Sequence, residues 1–409
     1  MKIVFKEIIL KIQLNFFVVV SKVKNLLFVV EKIGPYHNSR FNYLSEFKGF
    51  KIFVIETNTK SKKYLWEEVK NKNYTIYKLN KNIKKGSQIF ADINHQIIKI
   101  LSQANPNIIF ITGWYEKTHY FLIYKSYFKK IPIILLSDSR YRDDKRIFYK
   151  ELIKRILLKS FSSGIVAGKE SADYLMKLNF KKSNIFRPYN VVDNNYFLKT
   201  YTTNKNIHSN YFLCIARFLE RKNYKNLLKA FEIYKKKKGN LNLLIIGSGP
   251  EEKLIKEIKK KSKFSNSIFV ESWKETSLLP QYYREAKATV LASTQETWGL
   301  VINESMASGT PCIVSKSCGC YLDLIEEGRT GWGFDPKNEL ELSNIFLKVE
   351  KINQIELNKM KNHIQLKINK FSLYNFKKAV EQSTENSINK RKSSLISSLL
   401  AYILFALKN

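Results

Sequence analysis

Val290 to Val314 reads VLASTQETWGLVINESMASGTPCIV. The apolar run into Ala292 predicts a strand end, Ser293–Thr297 a polar loop, Trp298 onward a helix, and Pro311–Val314 a second strand. Glu296 falls in the loop above the strand end, and Glu304 lies eight residues on, about 2.2 helical turns. Gly299 and Leu300 place uncommitted backbone N–H groups at the helix N-terminus, a ready anion site. One carboxylate beside an anion site and a second about 12 Å along the helix axis suit a sugar nucleotide, with sugar at one end and ribose at the other.

Outward from this stretch the same rhythm recurs. Leu26–Val30, Lys51–Ile55, Ile108–Thr112, Ile131–Leu136 and Gly164–Ala167 read as buried strands in the first half. Tyr211–Ile215, Leu241–Ile246, Ser267–Val270, Ala288–Ala292 and Pro311–Ser315 do so in the second. Unbroken apolar strands alternating with amphipathic stretches predict parallel sheets covered on both faces, an α/β class. The polar Thr202–Asn210 interrupts the rhythm and marks a boundary near 200–208. The expected organisation is an N-terminal extension over 1–24, a Rossmann-like domain over 25–205, a second over 206–365 and a helical tail over 366–409, with a last helix near Asn375–Ser387. Two doubly wound domains place ligands at the carboxyl ends of their strands, in the cleft between them.

The 409 residues are 44% hydrophobic and 13% aromatic, which excludes a mainly disordered chain. The net charge is +36, yet only eleven of the 71 basic residues are arginine. A lysine-dominated excess lacks the bidentate forks that read bases, so nucleic acid is not an expected partner; compositional bias and an anionic membrane surface both fit. Cys214, Cys312, Cys318 and Cys320 are too few for a disulfide scaffold and lack a zinc-site pattern. They read as reduced thiols in a cytoplasmic protein. The start of the chain and the run Leu395–Leu407 are apolar with basic residues beside them, and neither is long enough to span a bilayer. Each reads equally as a membrane-surface segment or as a core strand and a docking helix.

Ser293, Glu296, Gly299, Leu300, Glu304, Met306, Ala307, Gly309 and Pro311 together resemble the E-x7-E segment of the retaining family 4 glycosyltransferases of GT-B fold. Thr297 and Trp298 depart from that pattern, where glycine and phenylalanine are usual. Arg217 and Lys222 resemble the family's diphosphate-gripping pair, with Ala216 in place of a glycine. Gly247-Ser248-Gly249-Pro250 resembles its G-x-G-P turn, whose glycines let a nucleotide approach the backbone. Gly319, Asp323, Gly328, Thr330 and Gly331 follow a further family segment, with Cys320 and Asp323 as departures. Gly34-Pro35-Tyr36-His37 with Arg40, together with Ser137-Asp138-Ser139, resembles a subset of the family.

The resemblance implies a retaining transfer of sugar from a nucleotide-diphosphate sugar to an envelope polysaccharide, lipid-linked or other glycan acceptor. By the same resemblance Glu296 contacts the sugar and Glu304 the ribose. Arg217, Lys222 and the amides of Gly299, Leu300 and Val301 meet the leaving phosphate, with Gly249 and Pro250 at the nucleotide. His37 and Asp138 are candidate catalytic groups, and Tyr36, Arg40 and His119 candidate acceptor-side residues. Arg140, Arg142 and Arg146, beside Asp143 and Asp144, read as a solvated helix start. No D-x-D occurs, so neither a catalytic metal nor another cofactor is expected. The expected location is the cytoplasm, at the inner face of the membrane where the protein is peripheral. A nucleotide-sugar epimerase of the same architecture and a non-catalytic basic membrane-associated protein are the rival readings.

Overall fold

The computed structural model describes residues 23–58, 72–79, 87–199 and 210–407, without the side chains of 87–91. Most of the expected N-terminal extension and nearly all of the polar linker lie outside them. The first sheet holds β1 (Lys24–Val30), β2 (Phe50–Glu56), β3 (Thr75–Lys78), β4 (Ile108–Thr112), β5 (Ile133–Ser137), β6 (Phe161–Val166) and β7 (Ile185–Phe186) in the order β3-β2-β1-β4-β5-β6-β7. The second holds β8 (Tyr211–Ile215), β9 (Asn242–Ile246), β10 (Ile268–Glu271), β11 (Ala286–Leu291), β12 (Cys312–Ser315) and β13 (Gly331–Phe334) in the order β10-β9-β8-β11-β12-β13. Every pairing is parallel.

The strand pleat explains why the runs are continuously apolar. Leu26, Phe28 and Val30 face one core with Ile108 and Phe110, whereas Leu27 and Val29 face the other with Ile109 and Ile111. The first of these cores runs on without a break into the second domain, through Val191, Val192 and Phe197 to Tyr211 and Tyr283. Both strand orders reverse direction at an inner strand, β1/β4 in the first sheet and β8/β11 in the second, and the loops that leave these strands form the site.

The stretch expected as a tail returns to the first domain. Ser372 caps the helix Leu373–Asn389 by accepting the Asn375 N–H at 3.4 Å. That helix packs over β5, β6 and β7. Small polar residues allow the close fit: Ser387 Oγ donates to Ser163 Oγ at 2.8 Å, and Asn386 Nδ2 to the same oxygen at 2.9 Å. The following helix, Leu395–Leu407, docks between the helices Lys117–Phe128 and Phe148–Leu158 through buried Ser397, Ser398, Ala401 and Phe405. Of the two readings of this segment, docking is the one realised for its inner face. No helix of the described residues is long and apolar enough to cross a membrane.

Phe405 is fully buried, its ring 5.0 Å from that of Phe121. Phe405→Ala is expected to cost about 3–5 kcal/mol, the range for emptying a packed aromatic site. Leu407→Ser, at an exposed position, is expected to stay within about 0.5 kcal/mol of the parent. Denaturant unfolding of both variants checks the pair, and equal effects would contradict the docked helix.

Candidate functional site between the two domains

The second domain builds one wall from the loops after β8 and β11. Lys222 closes a short 3₁₀ turn, Glu220–Lys222, and its ammonium pairs with the Glu296 carboxylate. Asn223 takes the left-handed conformation (φ 62°) that Asn tolerates. Its Nδ2 donates to Ala292 O at 3.1 Å and to Pro336 O at 2.8 Å. Thr294 N also donates to Arg221 O at 2.9 Å, so the two loops are stitched along their length. Arg217 is exposed at the end of β8, with no ion pair drawn from the described residues. The glycines of the 247–250 turn serve the chain itself: a Cβ on Gly247 would lie 2.0 Å from Ala216 O. Phe218 N reaches Ser248 O at 2.7 Å, and a Cβ on Gly249 would lie 2.6 Å from Phe218 O, so this turn packs directly on the Arg217 loop.

Gly299 carries the positive φ of the β11 loop, at 110°, and caps the helix Leu300–Ala307, which presents Leu300 and Val301 in its first turn. Thr297, where glycine is usual, is not left-handed; its Oγ1 donates across the cleft to Asp138 Oδ2 at 3.0 Å. The Trp298 indole N–H donates to Asn303 Oδ1 at 2.8 Å, a partner that phenylalanine could not use.

Glu304 is 1% exposed. Tyr36, from the helix Pro35–Ser45 of the first domain, donates its hydroxyl to one carboxylate oxygen. Tyr283 of the second domain donates to the other at 2.5 Å. Burial pushes the Glu304 carboxyl up to about 7, against the lowering effect of both tyrosines. Burial first, and then the adjacent carboxylate, hold both phenols well above their usual range, so they remain donors.

The other first-domain candidates separate into cleft and interior. His37 lies beside Tyr36; burial first, then Arg40, push its imidazole down to about 3, so it is neutral. Its Nδ1 accepts the Gly34 N–H at 3.4 Å, which leaves the ring proton on Nε2. Asp138 is raised above the usual carboxylate range, chiefly by burial. Arg40 is buried, donating to Tyr36 O and Tyr189 O at 3.1 Å each, and its guanidinium stacks 4.7 Å over the Tyr189 ring. It therefore braces the turn that aims Tyr36. His119, on the helix Lys117–Phe128, is fully buried, edge-on to Tyr115 at 5.7 Å.

The solvated reading of the 140–146 arginines is corrected. Arg140 is 2% exposed and bridges Asp143 at 2.7 Å, Glu170 at 3.0 Å and Ser317 O of the second domain at 2.9 Å. Its long planar fork satisfies three acceptors at once, the arrangement that makes burial of a guanidinium tolerable. Arg146 is largely buried too, over the Tyr174 ring at 4.5 Å; only Arg142 remains half exposed, donating to Lys316 O at 2.9 Å. Sequence reasoning also missed Tyr283, whose Gln-Tyr-Tyr-Arg context carries no distinguishing pattern. Asp323 closes the far end by accepting Lys169 N at 2.8 Å. The four cysteines are free and buried, with Cys214, Cys312 and Cys318 pushed up to about 12 by burial. Among the described residues no group of three metal-ligating side chains converges.

Two facing parallel-sheet domains with this connectivity define the GT-B fold. A glycosyltransferase from Rickettsia africae superposes with a TM-score of 0.71 at 16% identity, over 90% of this chain and 100% of that one. HepE from Anabaena, solved in complex with UDP and glucose, gives 0.68 at 15% identity over 88% and 99%. Residues 201–366 match the family Glycosyl transferases group 1. In sequence the chain is similar to the alpha-monoglucosyldiacylglycerol synthase of Acholeplasma laidlawii, 31% identical over 131 residues, 31% of this chain and 32% of the relative. It is also similar to an uncharacterized glycosyltransferase of Haemophilus influenzae, 28% identical over 182 residues, 44% and 49%. The chain thus spans about a third to a half of the length of these curated relatives.

Glu304 makes the stability of the closed site depend on pH. Its native carboxyl holds a proton up to about 7, whereas the unfolded chain loses it near about 4.3. The group's contribution is therefore full below the lower value and is lost as pH rises through the upper one. Between pH 5 and 8 the protein is expected to lose on the order of 3 kcal/mol through this group. Glu304→Gln should flatten that slope. Parallel pH profiles for variant and parent in denaturant melts would refute the assignment.

Proposed function

We propose that this protein is a retaining glycosyltransferase of family 4 type, independent of metal, that takes a hexosyl group from a nucleotide-diphosphate sugar. The observation that carries the reading is the wall formed by Lys222, Glu296, exposed Arg217 and the Gly299-capped helix N-terminus, inside the segment that matches Glycosyl transferases group 1. The diphosphate would sit against Arg217, Lys222 and the amides of Gly299, Leu300 and Val301, whose charge and dipoles are fixed before the reaction. Glu296 would receive the donor sugar and Glu304 the ribose, with Gly249 and Pro250 beside the nucleotide. The leaving phosphate would accept the proton of the acceptor hydroxyl as that oxygen attacks from the same face. This route needs no protein nucleophile and suits a neutral His37 and a buried Asp138 at the acceptor side. The acceptor would be an envelope polysaccharide, a lipid-linked glycan or another glycan, reached from the cytoplasm.

Both oxygens of Glu304 are already engaged by tyrosines. Ribose capture at that carboxylate would therefore require Tyr36 to leave it, and with it the first domain to swing away. Reclosure would exclude water from the donor.

A panel of intact nucleotide sugars ranked by the rise each causes in melting temperature tests the reading, since binding stabilises the native state by mass action. At least one donor should raise the Tm and release nucleotide on incubation with acceptor extracts. Arg217→Ala should weaken that donor by about 10- to 100-fold, the loss of one charge-assisted contact. No shift with any donor, or an isomerised sugar in place of released nucleotide, would overturn it.

A further inference from the structure

The helix Leu395–Leu407 has two unlike faces. Its inner face holds Ser397, Ser398, Ala401 and Phe405 against the first domain. Its outer face presents Leu395, Ile396, Leu399, Tyr402, Ile403 and Leu407, each at least 41% exposed. These positions recur at three- and four-residue intervals and form one stripe along the helix. The stripe is widened by its neighbours. The Tyr402 ring lies 4.8 Å from that of Tyr124, which in turn lies 5.0 Å from exposed Phe128. The adjoining helix Phe148–Leu158 carries exposed Phe148, Tyr149 and Leu152 of its own. Isolated surface leucines need no explanation, but a ridge of this size on one side of a domain does.

The charges around the ridge name its partner. Neither the described residues 387–407 nor the helix Lys117–Phe128 contains an acidic residue. The Glu151 carboxylate of the third helix is met by Lys154 at 2.8 Å and Arg146 at 3.5 Å. Arg391 Nη2 reaches Tyr127 O at 3.4 Å, which fixes the Lys390–Lys392 run beside Lys129 and Lys130. An apolar stripe with exposed cations at its end and no free carboxylate is complementary to a negatively charged lipid surface. At about 20 Å the helix is shorter than the roughly 30 Å hydrocarbon core, so it can lie in the interface but not span it.

We propose that the outer face of the helix Leu395–Leu407, with Phe128 beside it, seats the first domain in the headgroup region of an anionic bilayer. This assignment does not depend on the reaction proposed above, because vesicle binding reads it without any sugar transfer. The full chain is sedimented with phosphatidylcholine vesicles made with and without phosphatidylglycerol. Binding should be stronger to the anionic vesicles and fall with salt. The Ile396→Ser/Ile403→Ser double variant, changed only at exposed positions, should lose at least about tenfold in partitioning, since two buried isoleucines exceed that in transfer energy. Its melting temperature should match the parent's, showing that the helix still docks. Lys129→Ser/Lys130→Ser should weaken binding to anionic vesicles and leave the residual binding less sensitive to salt. Three results would overturn the proposal: no preference for anionic lipid, undiminished binding of the double variant at an unchanged melting temperature, or a parent dimer that the double variant converts to monomer, which would assign the face to a second copy.

Discussion

A carboxylate removed from water must either find donors or hold a proton, and Glu304 does some of both. Its two donors come from different domains, Tyr36 from the turn after β1 and Tyr283 from the helix Leu279–Glu285 ahead of β11. Closure of the cleft and the ionisation of one buried acid are therefore linked. The first domain supplies one of the donors to Glu304, and a separation of the domains would expose the same oxygen to water. Other interdomain bonds, among them Thr297 to Asp138, Arg140 to Ser317 O, Arg142 to Lys316 O and Lys169 N to Asp323, lie along the same seam. Most of them end on backbone or on partly exposed groups, whose loss water can replace. The Tyr36–Glu304 contact has no such substitute while the site stays dry.

The seam is also constrained from behind. The chain enters the second domain after residue 199 and returns at Ser372 to lay two helices on the first. The buried serines Ser163, Ser383 and Ser387 fix where the returning helix sits on β6. The first domain is thus completed by residues from the far end of the chain. That arrangement makes its folding depend on contacts of long sequence separation.

All ten strands expected from apolar runs are present, because burial on both faces demands unbroken hydrophobicity and leaves a strong signal. β3, β7 and β13 escaped notice for the opposite reason: Thr75–Lys78 is an exposed edge, Ile185–Phe186 has two residues, and Gly331–Phe334 is half glycine. In the site, the Gly299 cap follows from local spacing, whereas the Lys222–Glu296 pairing joins residues 74 apart in sequence and has no local signal. Arg140 and Tyr283 could not be read in this way. A buried arginine and a solvated one have the same neighbours in sequence, and what distinguishes them is Ser317 O, 177 residues away. At Gly247 and Gly249 the chain's own backbone, Ala216 O and Phe218 O, also requires the missing Cβ, a constraint that the turn motif by itself does not reveal.

On the reaction proposed above, the charge layout of the wall gives the glutamate at its centre a role. In that reaction, Arg217, Lys222 and the helix N-terminus would hold the departing diphosphate more strongly than the intact donor, because the phosphate gains negative charge as the sugar leaves. Glu296 balances Lys222 while the cleft is empty and offsets part of the field on the phosphate side. Positive charge that develops at the anomeric carbon as the sugar–phosphate bond breaks would meet this carboxylate, while the extra negative charge on the departing phosphate would meet the lysine. An ion pair already set in a shielded cleft therefore opposes charge separation less than water does, because its dipole need not reorganise when the bond breaks.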